Sequence, residues 1–310
     1  MTPNNPYTTS DESADHYVEI QPGKRLCFRA YGPPNSEAVL LIAGLGLQLT
    51  SWPASFIEAF VANGYRVIAP DNRDTGRSFE VSGVPPTTWE ILTRRAPNAP
   101  YTLEDMADDM VDLLDQLGIQ KVHLVGMSMG GMIAQTVAAR HPSRVWTLTS
   151  LFSTTGRRTV GYPAWSTIFK LLLPPPKTVQ EVVDSYWSMM RHIGDHTVPG
   201  IQERLEAYSR NAWVRQGNRA DPSRLGRKIG AIIKSGDRTD SLRNIKAPTL
   251  VIHGAIDKMV HPSGGKATAN AIPNARFVIL PKLRHQIDDE RSKELTDLIL
   301  QHMASEHRCS

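Results

Sequence analysis

The stretch that decides the fold is Val122-His-Leu-Val-Gly-Met-Ser-Met-Gly130, which runs directly into Gly-Met-Ile-Ala-Gln-Thr-Val-Ala-Ala-Arg140. Val122–Val125 is a short apolar run typical of a buried strand, and Met129–Arg140 predicts a helix that ends before a proline. Between the two lies a Gly-x-Ser-x-Gly turn, whose glycines let a strand and a helix approach closely. Such a turn exposes a serine hydroxyl at the helix N-terminus, so Ser128 is the candidate nucleophile.

A serine hydroxyl is a weak nucleophile until a histidine, itself oriented by a carboxylate, takes its proton. Asp257 comes just after the apolar run Thr249–His253, and His285 comes just after Arg276–Leu280. Both positions follow the carboxyl end of a predicted strand, where sheets of alternating β and α units gather functional groups. Because the order along the chain is serine, aspartate, histidine, we expect Asp257 to be the acid and His285 to be the base.

Weaker candidates exist for both partners of the serine. Asp237 and Asp240 are possible acids in a mainly helical region, and His261 is a possible base only four residues after Asp257. The remaining histidines are interpreted as structural, among them His253 inside a predicted strand.

A tetrahedral intermediate also needs backbone amides that point at its oxyanion. The N–H of Met129 directly follows the candidate nucleophile. A second donor is expected from the glycine-rich turn Ala43-Gly44-Leu45-Gly46, with the N–H of Leu45 favoured. A plain loop between a strand and a helix is the alternative interpretation of this turn.

Apolar runs alternate with helical patterns along most of the chain, which predicts an α/β fold with a mostly parallel sheet of eight strands. The predicted strands are Tyr17–Gln21, Arg25–Tyr31, Ala38–Ala43, Arg66–Ala69, Val122–Val125, Val145–Leu151, Thr249–His253 and Arg276–Leu280. The first two are expected to form a hairpin around Pro22-Gly23.

The alternation is interrupted after the sixth strand. Residues 152–246 lack strand patterns and contain helix starts at Thr178 and at Asp221-Pro222, so they predict an inserted helical cap. The core is then formed by residues 15–151 and 247–310, after a flexible tail at 1–14. The cap has 16 Lys plus Arg against 8 Asp plus Glu, which is +8. A solvated helical face explains this excess most simply, while an anionic substrate or membrane surface is the alternative.

The composition, with 40% hydrophobic and 21% charged residues, is typical of a soluble globular protein. We find no secretory signal pattern and no apolar run near the roughly 18 to 20 residues of a membrane span, so we expect no stable membrane insertion. Cys27 and Cys309 suggest no disulfide framework, which favours a reducing compartment and a cytoplasmic location. No metal site, organic cofactor or nucleic-acid-binding motif is expected, and the oligomeric state stays open.

Four motifs together resemble the α/β-hydrolase superfamily. They are Leu41–Gly46 with Gln48 and Trp52, Asp71–Ser78, the Ser128 turn, and Pro248–Gly254 with Asp257. More narrowly, the chain is similar to bacterial serine carboxylesterases of the group that includes aclacinomycin methylesterase. The resemblance implies hydrolysis of a small-molecule carboxylic ester, with an apolar part, through an acyl-enzyme on Ser128.

Two positions depart from the pattern of these relatives. Ala43-Gly44 stands where many have His-Gly, and Lys282-Leu-Arg-His-Gln286 replaces a Gly-Met-Gly-His-Asp type sequence. The cationic Arg284 would lower the basicity of His285 or bind an anionic group of the substrate. A thioesterase, an amidase or a perhydrolase would use the same triad, and a ligand-binding receptor with little turnover is a further alternative. Epoxide hydrolases and dehalogenases are disfavoured because they carry an aspartate at the position of Ser128.

Overall fold

The computed structural model describes residues 14–171, 173–219 and 221–306. The flexible tail predicted for residues 1–14 therefore lies outside the described residues, with the exception of Ala14. None of the helices within these ranges combines the length and the apolar character needed to cross a bilayer.

All eight predicted strands are present and form one sheet. They are β1 (His16–Gln21), β2 (Lys24–Tyr31), β3 (Ala38–Ile42), β4 (Arg66–Pro70), β5 (Val122–Met127), β6 (Val145–Leu151), β7 (Thr249–Gly254) and β8 (Arg276–Leu280). Their order is β1-β2-β4-β3-β5-β6-β7-β8. The pairs β1–β2 and β2–β4 are antiparallel and the other pairs are parallel, so the prediction of a mostly parallel eight-stranded sheet is confirmed.

Eleven α-helices connect or cover these strands in the described residues. They are α1 (Ala54–Ala62), α2 (Thr88–Thr93), α3 (Leu103–Gln116), α4 (Met129–Arg140), α5 (Trp165–Leu171), α6 (Val179–Ile193), α7 (Ile201–Arg215), α8 (Pro222–Ser235), α9 (Thr239–Leu242), α10 (Ser263–Ala271) and α11 (Asp289–Glu306). The helix starts predicted from the sequence are correct, since the side chains of Thr178 and Asp221 cap α6 and α8. Five of the helices, α5 to α9, lie between β6 and β7 in the chain.

The central strands are buried on both faces, as expected for parallel strands covered by helices. In β3, Leu40 and Ile42 belong to an apolar cluster with residues of α3 and α4, whereas Val39 and Leu41 belong to a cluster with residues of α1 and α11. Successive side chains of a strand point to opposite faces, so this one strand anchors both helical layers. The layers fix β5, and with it the serine turn, in the middle of the sheet.

The helices after β6 are joined to the sheet by buried charges. Arg215, at the end of α7, is fully buried and donates to Asp15 at 2.5 Å, to Asp71 at 2.7 Å and to the side-chain oxygen of Gln48 at 2.9 Å. Asp15 also accepts from Arg29 at 2.6 Å. The cluster therefore ties the beginning of the described chain, the loops after β3 and β4, and α7 to one point.

A second charged contact attaches α8. Arg227 binds the carboxylate of Asp74 with two hydrogen bonds of 2.9 and 2.7 Å, and the hydroxyl of Tyr101 donates to the same carboxylate at 2.8 Å. The ammonium of Lys228 donates to Thr75 Oγ1 at 2.7 Å. The segment Asp71–Ser78, one of the four motifs that carry the resemblance to the superfamily, thus binds both α7 and α8.

These contacts correct one interpretation of the sequence. A solvated helical face does not explain the whole positive excess of residues 152–246, because part of that excess is internal. Five of its cations are buried: Arg215, Arg224, Arg227, Lys228 and Arg238. Three of them pair with carboxylates of the core, and Arg238 donates to the backbone oxygens of Met132 and Thr154. Periodicity could not reveal this because the acceptors are distant in sequence.

Candidate active site

Ser128 lies on a strained turn between β5 and α4. Its backbone has φ 56° and ψ −120°, a conformation that residues other than glycine rarely adopt. The turn is so crowded that a Cβ on Gly130 would overlap the backbone oxygen of Ile42, and one on Gly126 would overlap that of Gly130. The glycines of the motif are therefore required by close backbone contact. The serine itself is only partly buried, at the carboxyl edge of the sheet.

The structure brings the three predicted side chains together. His285 Nε2 lies 3.0 Å from Ser128 Oγ, and His285 Nδ1 lies 2.7 Å from Asp257 Oδ2. With Nδ1 protonated and donating to the carboxylate, Nε2 is free to accept the serine proton. The side chain of His285 is 10% exposed, whereas that of Asp257 is fully covered. Water can thus reach the hydrogen-bonded triad at Ser128 but not at the carboxylate of Asp257.

Asp257 is held as an anion by its surroundings. Its Oδ1 accepts the backbone N–H groups of Met259 at 2.8 Å and Val260 at 2.9 Å, while Oδ2 faces His285. Burial alone would raise the pKa of Asp257, but the two neighbouring histidines hold it well below its usual range. The carboxylate is therefore charged at neutral pH and fixes the orientation of the imidazole.

His253 is the second of those histidines, and the sequence did not predict its contact with the site. It is fully buried, its Nε2 lies 2.8 Å from the backbone oxygen of Val260, and the same nitrogen lies 3.4 Å from Asp257 Oδ2. The only sequence signal is a histidine in an otherwise apolar strand that ends shortly before the acid. Through these two contacts, His253 stabilises the loop that contains Asp257 and Val260.

The turn expected to provide the second oxyanion donor lies against the serine. A Cβ on Gly44 would lie 3.3 Å from Ser128 Cβ, so the turn that contains Leu45, the next residue, lies beside the candidate nucleophile. The turn is closed by a hydrogen bond from Leu47 N to Gly44 O at 3.2 Å. The side-chain amide of Asn72 donates to Ala43 O at 3.1 Å and supports the turn. Met129 follows the serine as the first residue of α4.

The weaker candidates are engaged elsewhere. Asp237 accepts from Thr239 N at 2.9 Å, and the exposed Asp240 pairs with Arg243. His261 stacks on the ring of Tyr162 and hydrogen-bonds to Ser263. Within the described ranges, no group of three or more His, Cys, Asp or Glu side chains is arranged to hold a metal ion.

A match to a family model identifies the family of this chain. Residues 37–166 and 156–290 match the model of the alpha/beta hydrolase fold, which together covers most of the chain. The chain belongs to the α/β-hydrolase family. The resemblance to carboxylesterases of this superfamily is also confirmed by methylesterase relatives. This hydrolase is 28% identical over 275 residues to rhodomycin D methylesterase DnrP of Streptomyces peucetius, an alignment that covers 83% of this chain and 87% of the relative.

A second methylesterase and one solved structure are also similar to this chain. Rhodomycin D methylesterase DauP of Streptomyces sp. (strain C5) is 28% identical over 277 residues, with 83% of this hydrolase and 87% of the relative covered. The solved enol-lactonase of Burkholderia xenovorans LB400 superposes with a TM-score of 0.70 at 23% identity, covering 93% of this chain and 100% of that one. At that identity the structural match shows the fold alone.

Proposed function

We propose that this hydrolase cleaves carboxylic esters through an acyl-enzyme, with Ser128 as nucleophile, His285 as general base and Asp257 as the acid that orients the base. The observation that carries the proposal is the continuous hydrogen-bonded chain from Asp257 through His285 to Ser128. Distances of 2.7 and 3.0 Å are within the range that proton transfer requires. The strained serine backbone and the charged, buried acid are consistent with this role.

The proposed reaction has two steps. Ser128 Oγ attacks the ester carbonyl while His285 Nε2 takes the hydroxyl proton, and the backbone N–H groups of Met129 and Leu45 stabilise the oxyanion. His285 then gives the proton to the departing alcohol, which leaves an acyl group on the serine. A water activated by the same imidazole releases the acid and restores the enzyme.

The relatives favour one class of ester as the first to test. Because two of them carry the name methylesterase, we propose methyl esters of organic acids as candidate substrates. We further propose that residues 152–246 act as a cap over the core formed by residues 15–151 and 247–310. Two contacts support the cap. The backbone N–H of His285 donates to the backbone oxygen of Ile193 at 3.0 Å. A Cβ on Gly46 would lie 3.4 Å from the side chain of Leu225 in α8.

The test is turnover of a short p-nitrophenyl ester and labelling by a fluorophosphonate, both in purified protein. Ser128→Ala should abolish labelling and lower kcat by at least about a thousandfold, because both depend on the nucleophile. Ser305→Ala is the matched control, since Ser305 is exposed near the end of α11 and its hydroxyl donates to the backbone oxygen of His302. Unchanged turnover in Ser128→Ala would end the proposal, and labelling without turnover of any ester would favour a binding function instead.

A further inference from the structure

One helix between β6 and β7 leaves an apolar face uncovered. In α5, Trp165 is 80% exposed and Phe169 is 71% exposed, and the chain continues through Leu171 at 51% and Leu173 at 63%. Trp165 and Phe169 are four residues apart, so they share one side of the helix. Monomeric proteins rarely leave several large apolar side chains adjacent in water without a partner for them.

The opposite side of α5 is fixed to the core beside the candidate active site. Thr167 is buried, and its hydroxyl donates to Lys258 O at 2.9 Å. Just before α5, Ala164 N donates to the same oxygen, also at 2.9 Å. Lys258 directly follows Asp257, so the exposed face of α5 is carried by an element that packs on the acid loop.

The same segment is strongly basic. Residues 157–178 contain four cations, Arg157, Arg158, Lys170 and Lys177, and no Asp or Glu. In the part of the chain that the structure describes, none of the four forms an ion pair with a carboxylate. Lys170 donates to Ser188 Oγ, and Arg158 donates to the backbone oxygen of Arg94. The nearest acid in sequence, Glu181, accepts from the backbone N–H of Lys177.

From these observations we propose that the basic apolar segment 157–178 binds the surface of a bilayer that contains anionic lipids. Trp165 and Phe169, on one face of α5, enter the boundary between headgroups and acyl chains together with Leu173 just beyond the helix, while arginine and lysine neighbours bind the headgroups. A second copy of this chain is a poor partner for the surface, because a two-fold contact would bring four cations against the same four cations. A lipid surface supplies both the apolar layer and the negative charge.

The consequence concerns delivery of the substrate. A protein attached through α5 holds the loop of Asp257 close to the headgroup layer, so an amphipathic ester would reach the site from the membrane and not only from water. Binding through this segment does not depend on the ester chemistry of Ser128. The Ser128→Ala protein should therefore bind vesicles as the wild type does, and the two proposals can fail separately.

The test is co-sedimentation of the full chain with sucrose-loaded vesicles at low ionic strength. We expect binding to vesicles of equal parts phosphatidylcholine and phosphatidylglycerol, and at least about tenfold weaker binding to phosphatidylcholine alone. Trp165→Ser combined with Phe169→Ser should weaken binding at least about tenfold, because the apolar contact is lost. Lys170→Gln combined with Lys177→Gln should weaken it about twenty-five-fold, since each lysine contributes about fivefold near an anionic surface.

Trp146→Ser is the matched control. Trp146 is 38% exposed near the start of β6, at the edge of the sheet opposite to Ser128, so its loss should leave binding unchanged. Far-ultraviolet circular dichroism, which does not depend on the ester chemistry, verifies that each variant is folded. The proposal is overturned if the wild type does not sediment with either vesicle, or if the Trp165/Phe169 variant sediments as the wild type does. It is replaced by self-association if light scattering finds a dimer that this variant dissociates.

Discussion

The buried guanidinium of Arg215 allows a quantitative test of how the helices after β6 are attached. Arg215 and Asp71 are both fully buried and lie 2.7 Å apart between nitrogen and oxygen. With charge centres about 4 Å apart, they attract by about 4 kcal/mol at an effective dielectric constant of about 20. Arg215→Met removes this attraction and leaves the carboxylate of Asp71 buried without its cation. We therefore expect the free energy of unfolding to fall by about 3 to 5 kcal/mol.

The carboxylates do not lose equal amounts of support. Asp15 keeps Arg29 and Arg77 as partners, whereas in the described part of the chain Asp71 keeps only the backbone donors Leu49 N at 2.7 Å and Arg77 N at 3.1 Å. Neutralising Asp71 in the variant should therefore restore stability. The double variant Arg215→Met, Asp71→Asn is expected to recover about 2 kcal/mol relative to Arg215→Met alone, because no unpaired charge remains buried.

The assay is urea unfolding of the wild type, both single variants and the double variant, followed by circular dichroism at constant pH. The four free energies form a double-mutant cycle that isolates the pair. The reasoning is refuted if Arg215→Met costs less than about 1 kcal/mol, or if adding Asp71→Asn makes that variant still less stable. Either result would mean that the charges contribute no more than an exposed pair.

Two further predictions concern the acid and a buried lysine. Asp257→Asn should lower kcat by about a thousandfold to ten thousandfold with little change in KM, because the amide no longer fixes the imidazole tautomer; steady-state kinetics on a soluble ester would contradict this with a loss below about tenfold. Burial lowers the pKa of Lys228 to about 7, although Asp74 opposes the shift. The unfolded chain, with a pKa near about 10.4, then binds more protons between these values, so stability should rise with pH in that range. From about pH 7 to about pH 9 we expect the wild type to gain about 2 kcal/mol over Lys228→Met in urea unfolding, and equal pH dependence of the two proteins would exclude the effect.

The sequence was sufficient for the strands because the signals of a strand in this fold are local. A central strand such as Ala38–Ile42 or Val122–Met127 is a short apolar run between breaking signals, and such a run is recognised without knowledge of its neighbours. The order β1-β2-β4-β3-β5-β6-β7-β8 is not specified by such local patterns, because it depends on which strands pair after the crossovers form.

For the candidate site, the sequence determined the identity of the residues and the structure decided their contacts. Ser128 could be selected because its turn demands glycines, and Asp257 and His285 because parallel strands deliver their carboxyl ends to one edge. The bracing of Ala43 by Asn72 has no local pattern, and a histidine in an otherwise apolar strand is the only signal for the bracing of Asp257 by His253. Both are contacts of side chains whose partners are set by the packed sheet.

The helices between β6 and β7 show most clearly which features depend on neighbouring residues in the sequence and which depend on the tertiary structure. Capping side chains such as Thr178 fix where a helix begins, because they satisfy amide groups only three residues away. Whether a cation such as Arg215 is solvated or buried depends on carboxylates 144 and 200 positions away in the chain. The sequence by itself therefore determined the strands, the helix starts and the candidate reactive residues, while only the tertiary structure decided which charges are paired and which apolar face stays open. The physical reason is that propensity and capping act within a few residues, whereas desolvation depends on everything that packs around a group.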